Sequence, residues 1–192
     1  MEANMIDLFL FIGFMTLVVL ILMFMNRLVQ RGIHILANPP IRLPIFLSAK
    51  ILAFVSCLFI PLAVLWPGLK WYAIPGYLSW AAPVLFLTGG LLAVTAMKKL
   101  GDDLIFGLPN GGIKHLQTEG IYKFSRNPLY LGFFMILVAS WLSVPNPFNF
   151  VGGGIAIVIH HVIILKEERF LIAKNGSEYL AYMEKTGRYL FF

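Results

Sequence analysis

Residues 129–165 read LYLGFFMILVASWLSVPNPFNFVGGGIAIVIHHVIIL. Two apolar runs, Leu129 to Val144 and Phe148 to Leu165, are joined by Pro145-Asn146-Pro147. A link that short admits only a tight helical hairpin. The two runs are therefore expected to lie antiparallel and packed, with Gly152-Gly153-Gly154 letting backbones approach closely. Three longer runs precede them: Ile6 to Met25, Ile45 to Trp66 with a kink at Pro61, and about Tyr77 to Met97. Each is long enough to cross a hydrocarbon core of ~30 Å at ~1.5 Å per residue. The predicted fold is all-α: a polytopic integral membrane protein of five transmembrane helices, the last two a tight hairpin. The first run lacks a basic segment before it and a small-residue cleavage site after it. It reads as a retained span, not a signal peptide.

Composition agrees. Of 192 residues, 59% are hydrophobic and 12% charged, against roughly 45–50% and 25% in soluble domains. A water-soluble domain of this size cannot hide that much apolar surface. The lone cysteine, Cys57, excludes an internal disulfide and a thiolate cluster, and reads as a buried, inert thiol. The net charge of +6 would suggest nucleic acid in a soluble chain, but here it follows membrane topology.

Arg27, Arg31, Arg42 and Lys50 are assigned to the first loop; Lys98, Lys99, Lys114, Lys123 and Arg126 to the third; and five more follow Leu165. Of the 15 Lys and Arg, Lys70 alone falls on the other side. The positive-inside rule makes the rich side cytosolic, with the N-terminus outside and the C-terminus inside. Any chemistry belongs to the inner face, which carries the long third loop and the tail.

The hairpin brings the segment before Leu129 beside the segment after Leu165. Tyr122, Arg126, Asn127 and Tyr130 are thus expected near Glu167 and Glu168, at the ~10 Å spacing of packed helices. Asn127 suits an N-cap and Pro128 the first helical position. With Arg126, that helix start is either an anion site or a capped end with an interfacial Arg. Glu167-Glu168 near hydrocarbon calls for a cation, either Arg126 or a ligand, unless the helix simply runs on into water. His160 and His161 lie inside the last span, as structural or substrate-lining groups. No further ligands have the spacing a metal would need. Gly107 to Gly112 is a weak phosphate cradle, lacking the Lys-Ser/Thr of a nucleotide loop.

Gly120-Ile121-Tyr122 followed by Arg126-Asn127-Pro128-Leu129-Tyr130 resembles G-x-Y-x-x-x-R-H-P-x-Y, the core motif of the isoprenylcysteine carboxyl methyltransferase and phospholipid methyltransferase family. Glu167-Glu168, Leu171, Gly176, Glu178-Tyr179 and Tyr182 are similar to its second motif. The resemblance covers roughly residues 98–192. It implies S-adenosyl-L-methionine as methyl donor, a cytosolic cofactor pocket and a lipophilic acceptor entering from membrane lipid. The acceptor would be an isoprenylcysteine-type carboxylate, a phospholipid amine or another lipid. It implies cofactor contacts at Lys114, His115, Leu116, Gln117, Gly120, Tyr122, Asn127, Pro128, Leu129, Tyr130, Glu167 and Glu168. Arg126 and Glu168 would be the central catalytic pair, meeting the cofactor's carboxylate and its ammonium or ribose.

Residues 1–97 form a three-span N-terminal part and 98–192 a cofactor-binding part of one domain. Two positions depart from the family: Asn127 stands where it has His, and Ile164 where carboxyl-methylating members carry Arg. Two other readings remain: an NADPH-dependent membrane reductase related to sterol reductases, and a non-catalytic scaffold. The oligomeric state leaves no signature.

Overall fold

The computed structural model describes residues 5–109 and 115–190. Helix α1 is Met5–Gln30 and α2 is Leu43–Leu65, with Pro61 inside it. The third predicted run breaks at Trp80 into a short α3, Gly76–Ser79, and α4, Ala81–Leu100. Helix α5 is Pro128–Ser143, α6 is Pro147–Asn175 and α7 is Ser177–Lys185. Asn146 starts α6 by accepting the Phe148 N–H at 2.9 Å, with Pro147 in the first turn. Gly176, at φ +53°, ends it in a conformation that side chains disfavour.

Among the described residues, four helical segments are long and apolar enough to cross a membrane: Met5–Gln30, Leu43–Leu65, Gly76–Asp103 and Pro147–Asn175. The shorter α5 has 16 residues. Two expectations change here. Helix α6 runs well past Leu165, so Glu167 and Glu168 lie within it rather than at its end. Lys50 belongs to α2, not to the first loop.

The hairpin also packs differently from its sequence reading. Helices α5 and α6 touch each other only lightly; α5 lies along α4, and α6 along α2. Small residues explain this. A Cβ on Gly89 of α4 would come within 2.6 Å of the Gly132 carbonyl oxygen on α5, and a Cβ on Gly132 would collide with that of Gly89. The close approach assigned to the glycine triplet is made by Gly153, whose added Cβ would be 2.6 Å from Trp141 Nε1 and 2.8 Å from Ser56 Oγ. Gly154 faces open space.

Buried Asn149 ties the two helix pairs together. Its amide nitrogen donates to the Ser140 and Val144 carbonyls, both at 3.1 Å, and its oxygen accepts from Ser56 Oγ at 2.5 Å. At the end opposite the basic residues, Lys70 meets buried Asp7 at 2.6 Å, and Asn146 Nδ2 donates to the Leu69 carbonyl at 2.9 Å. At the basic end, Ala37 and Asn38 pair with Phe106 and Leu108 across the foot of the bundle. Gly107, at φ +105°, lets these two segments approach.

Forcing a methyl group into the α4–α5 crossing should cost about 1–3 kcal/mol. Gly132→Ala should therefore lower the unfolding temperature in detergent, followed by circular dichroism. Gly154→Ala, where an added Cβ meets nothing within 4 Å, should leave it unchanged or raise it.

Candidate functional site

Glu168 is 3% exposed and has its carboxylate closed on all sides. Arg126 Nε donates to Oε1 at 3.1 Å, Asn127 Nδ2 to the same oxygen at 3.1 Å, and Arg188 Nε to Oε2 at 2.9 Å. Arg126 is also committed to the Met183 and Thr186 carbonyls. The backbone follows the side chains: the Arg126 N–H donates to Gly187 O at 2.9 Å and the Asn127 N–H to Arg188 O at 3.2 Å. The hydrogen bond to Glu168 raises the Arg188 guanidinium's pKa, so it stays charged.

This bears on three expectations. Arg126 pairs with Glu168, one of the two alternatives raised for that carboxylate, and Arg126 also lines the cavity. Asn127 occupies the N-cap position, but its side chain serves Glu168 and the Arg188 carbonyl instead of capping α5. Just ahead of the helix start proposed for an anion, the Arg126 and Asn127 N–H groups hold carbonyls of the tail.

Above this closed knot lies a cavity of about 490 Å³. Its mouth, at the basic end, is formed by His115, Leu116 and Gln117, with Tyr122, Asn127 and Pro128 beyond. Leu129, Tyr130, Glu167 and His160 line it deeper in. Arg126 reaches its wall, whereas Glu168, Gly120 and His161 do not line it. Gly120, at φ +62°, shapes the turn before Tyr122 and lies beside the Lys99 side chain. Lys114, expected at the mouth, lies outside the described residues. The depth of the cavity is apolar, walled by Phe14, Leu17, Cys57, Phe133 and Ile136 from three helices.

Within the cavity, the Tyr130 hydroxyl donates to Glu167 at 3.0 Å from Oε1 and 3.1 Å from Oε2. The expected meeting of Tyr130 with Glu167, and of Arg126 and Asn127 with Glu168, is therefore realised in direct contacts. Tyr122 is placed by its backbone: the Tyr182 hydroxyl donates to its carbonyl at 2.6 Å. Burial pushes both phenols' pKa up, keeping them protonated donors. The adjacent histidines diverge. His160 is buried against the cavity, while His161 turns to the Tyr189 hydroxyl at 2.7 Å.

Lys50 is the cavity residue that sequence reasoning missed. Its Nζ lies 3.2 Å from His160 Nε2 and faces the Phe46, Phe106 and Tyr130 rings. The available signal was a lysine two turns inside an apolar helix, which the loop-by-loop charge count absorbed.

The phospholipid methyltransferase family profile matches residues 77–177, which take in α3 to α6. The chain is 27% identical over 125 residues to a protein-S-isoprenylcysteine O-methyltransferase of Dictyostelium discoideum, covering 62% of this chain and 53% of that protein. It is 32% identical over 80 residues to a protein-S-isoprenylcysteine O-methyltransferase of Saccharomyces cerevisiae, covering 38% of this chain and 30% of that protein. The chain thus spans about half the length of the first relative and under a third of the second.

Removing a buried carboxylate from between two guanidiniums should be among the costliest single changes. Glu168→Ala should destabilise by about 3–5 kcal/mol, because it strands Arg126 beside Arg188. Arg188→Ala should cost less, since that side chain is 31% exposed and Arg126 remains. Chemical denaturation in detergent reads both; equal and small effects would contradict the closed-knot assignment.

Proposed function

The chain belongs to the phospholipid methyltransferase family, and from that premise we propose that it transfers a methyl group from S-adenosyl-L-methionine to a lipophilic acceptor at the cytosolic face of its membrane. The observation that carries this reading is a cavity polar at its mouth and apolar at its depth, lined by residues of the family motifs. A water-borne donor and a membrane-borne acceptor can enter it from opposite ends. In this reading residues 98–192 hold the donor, and the three-span part, 1–97, walls the acceptor's chain. The N-terminus lies outside and the basic end inside.

The donor set fits the cofactor. The ring faces of Phe106, Tyr122 and Tyr130 suit a flat adenine and a cationic sulfonium. Glu167 presents a carboxylate to the cavity that suits an ammonium, and Tyr130 holds it in one orientation. His115, Leu116 and Gln117 sit where a solvent-side ring would rest. When bound, the cofactor supplies an electrophilic methyl group.

The protein's part is alignment and water exclusion. Apolar walls keep competing water away from the reacting end. Loading from opposite ends favours the in-line approach that displacement at a methyl carbon needs. Arg126 and Glu168 act here as positioning residues: they fix Tyr122, Asn127 and Pro128 through the tail rather than touching the cofactor. A nicotinamide reductase would need cations for extra phosphates. Near the mouth Arg126 is committed, and Lys99 lies 3.4 Å from Glu119.

Calorimetric titration of detergent-solubilised protein tests this. S-adenosylmethionine should bind saturably, one to one, and NADPH should not. Glu167→Gln should weaken binding about tenfold, or ~1.4 kcal/mol, with an unchanged unfolding temperature. Folded wild-type protein that ignores S-adenosylmethionine would overturn the reading.

A further inference from the structure

Two opposite charges face each other in the cavity without closing. Lys50 of α2 and Glu167 of α6 both line it, and each feels the other's charge. Among the described residues they form no direct ion pair. A flexible lysine beside a carboxylate in a low-dielectric space is strongly drawn to it. Each of the two is held back by another side chain.

Glu167 is held by Tyr130, whose hydroxyl lies 3.0 Å and 3.1 Å from its two oxygens. Lys50 is held by His160. Nδ1 of that ring lies 2.7 Å from the Ala156 carbonyl. A carbonyl oxygen only accepts, so Nδ1 carries the proton and Nε2 offers a lone pair. Lys50 Nζ donates to that lone pair at 3.2 Å. The Phe46, Phe106 and Tyr130 rings, with centroids 5.1, 5.7 and 5.9 Å from Nζ, cradle the charge there. The imidazole is fixed in turn: it is buried, with the Phe133 ring centroid at 5.3 Å and that of Tyr130 at 6.0 Å.

His160 and Glu167 share one face of α6, separated by ~10 Å along the axis at 1.5 Å per residue. The mobile stem of Lys50 therefore has two possible partners, a neutral one deeper in the cavity and a charged one nearer the mouth.

We propose that His160 is a positioning residue: its Nε2 holds Lys50 off Glu167, so that this carboxylate keeps its charge for the cationic group of a ligand. The ligand rests on the reading of Glu167 as the cofactor's ammonium site; the choice of Lys50 between His160 and Glu167 does not. Without the imidazole lone pair, Lys50 closes on Glu167. A ligand's ammonium must then displace an internal one already in place, which weakens binding while the rest of the cavity is unchanged.

Titration calorimetry in detergent tests this. His160→Phe keeps a ring and removes the lone pair, and should bind S-adenosylmethionine at least about tenfold more weakly than wild type. His160→Gln, which offers an acceptor oxygen, should stay within about threefold. Adding Lys50→Met to His160→Phe should restore affinity to within about threefold of wild type, a recovery that a merely structural imidazole would not give. Wild-type affinity in folded His160→Phe overturns the proposal, and so does failure of Lys50→Met to restore it. Lys50→Met alone, which needs no change at His160, should bind at least as tightly as wild type. Weaker binding there overturns the proposal and gives Lys50 to the cofactor's carboxylate.

Thermal unfolding reads the same choice without cofactor. Glu167→Gln, expected to leave the wild-type unfolding temperature unchanged, should lower it by about 2–4 °C in His160→Phe. That loss should vanish once Lys50→Met is added, because the pair it breaks is then gone. If wild type ignores S-adenosylmethionine while this pattern holds, the methyl-transfer reading falls and the role of His160 stands. If the pattern is missing, the role of His160 falls whatever the protein binds.

Discussion

A carboxylate buried between two guanidiniums organises the basic half of this protein. Glu168 comes from α6, Arg126 from the segment leading into α5, and Arg188 from the tail beyond α7. Three stretches far apart in sequence are drawn to one point because a buried charge must be matched where it sits. Once they meet, backbone pairing between 126–127 and 187–188 follows, and Tyr182 reaches the Tyr122 carbonyl. The wall of the cavity built from Tyr122, Asn127 and Pro128 is thereby held from behind. Of the charged residues in the family motifs, Glu168 is closed off from the cavity, whereas Arg126 and Glu167 line it.

The cavity itself comes from unequal packing. Gly89 against Gly132 lets α4 and α5 touch backbone to backbone, and Gly153 lets α6 settle on α2 and Trp141. With α4–α5 and α2–α6 as two close pairs, space remains between them that α1 and α2 enclose with Phe14, Leu17 and Cys57. In hydrocarbon, apolar side chains gain little by collapsing on one another, so such a space can persist where small residues, rather than hydrophobic contraction, decide which helices meet. The polar groups within it find partners in one another, Lys50 with His160 and Tyr130 with Glu167.

Much of this was legible in the sequence. Helix spans follow from apolar run length. The hairpin at Pro145-Asn146-Pro147 correctly brought Arg126 and Asn127 to Glu168, and Tyr130 to Glu167, across some 40 residues of chain. What escaped was pairing among helices. Glycines in α4 were hidden inside a run read for its length alone, so the hairpin helices were paired with each other. Satisfaction of charge was the second gap. Sequence could place Arg126 near Glu168, but not reveal that Arg188 completes the closure around that carboxylate. Lys50 escaped because counting charges by side of the membrane treats a lysine inside a helix as one more loop residue.

Helix α5 has a consequence of its own. Its 16 residues rise only ~24 Å, several ångströms short of a ~30 Å hydrocarbon core. The turn at Pro145-Asn146-Pro147 must then sit below the level of the lipid headgroups. Its exposed carbonyl and amide groups are answered by protein: Trp71 donates to the Pro145 carbonyl at 3.0 Å, and Asn146 reaches the Leu69 carbonyl. The segment around Leu69, tethered through Lys70 to Asp7, closes over that turn. Hydrophobic mismatch of this kind costs fractions of a kcal/mol per ångström, enough to sort proteins between membranes. Bilayer thickness thus becomes a coordinate of this molecule's energetics, and thin membranes are the environment in which it rests with least distortion of the lipid around it.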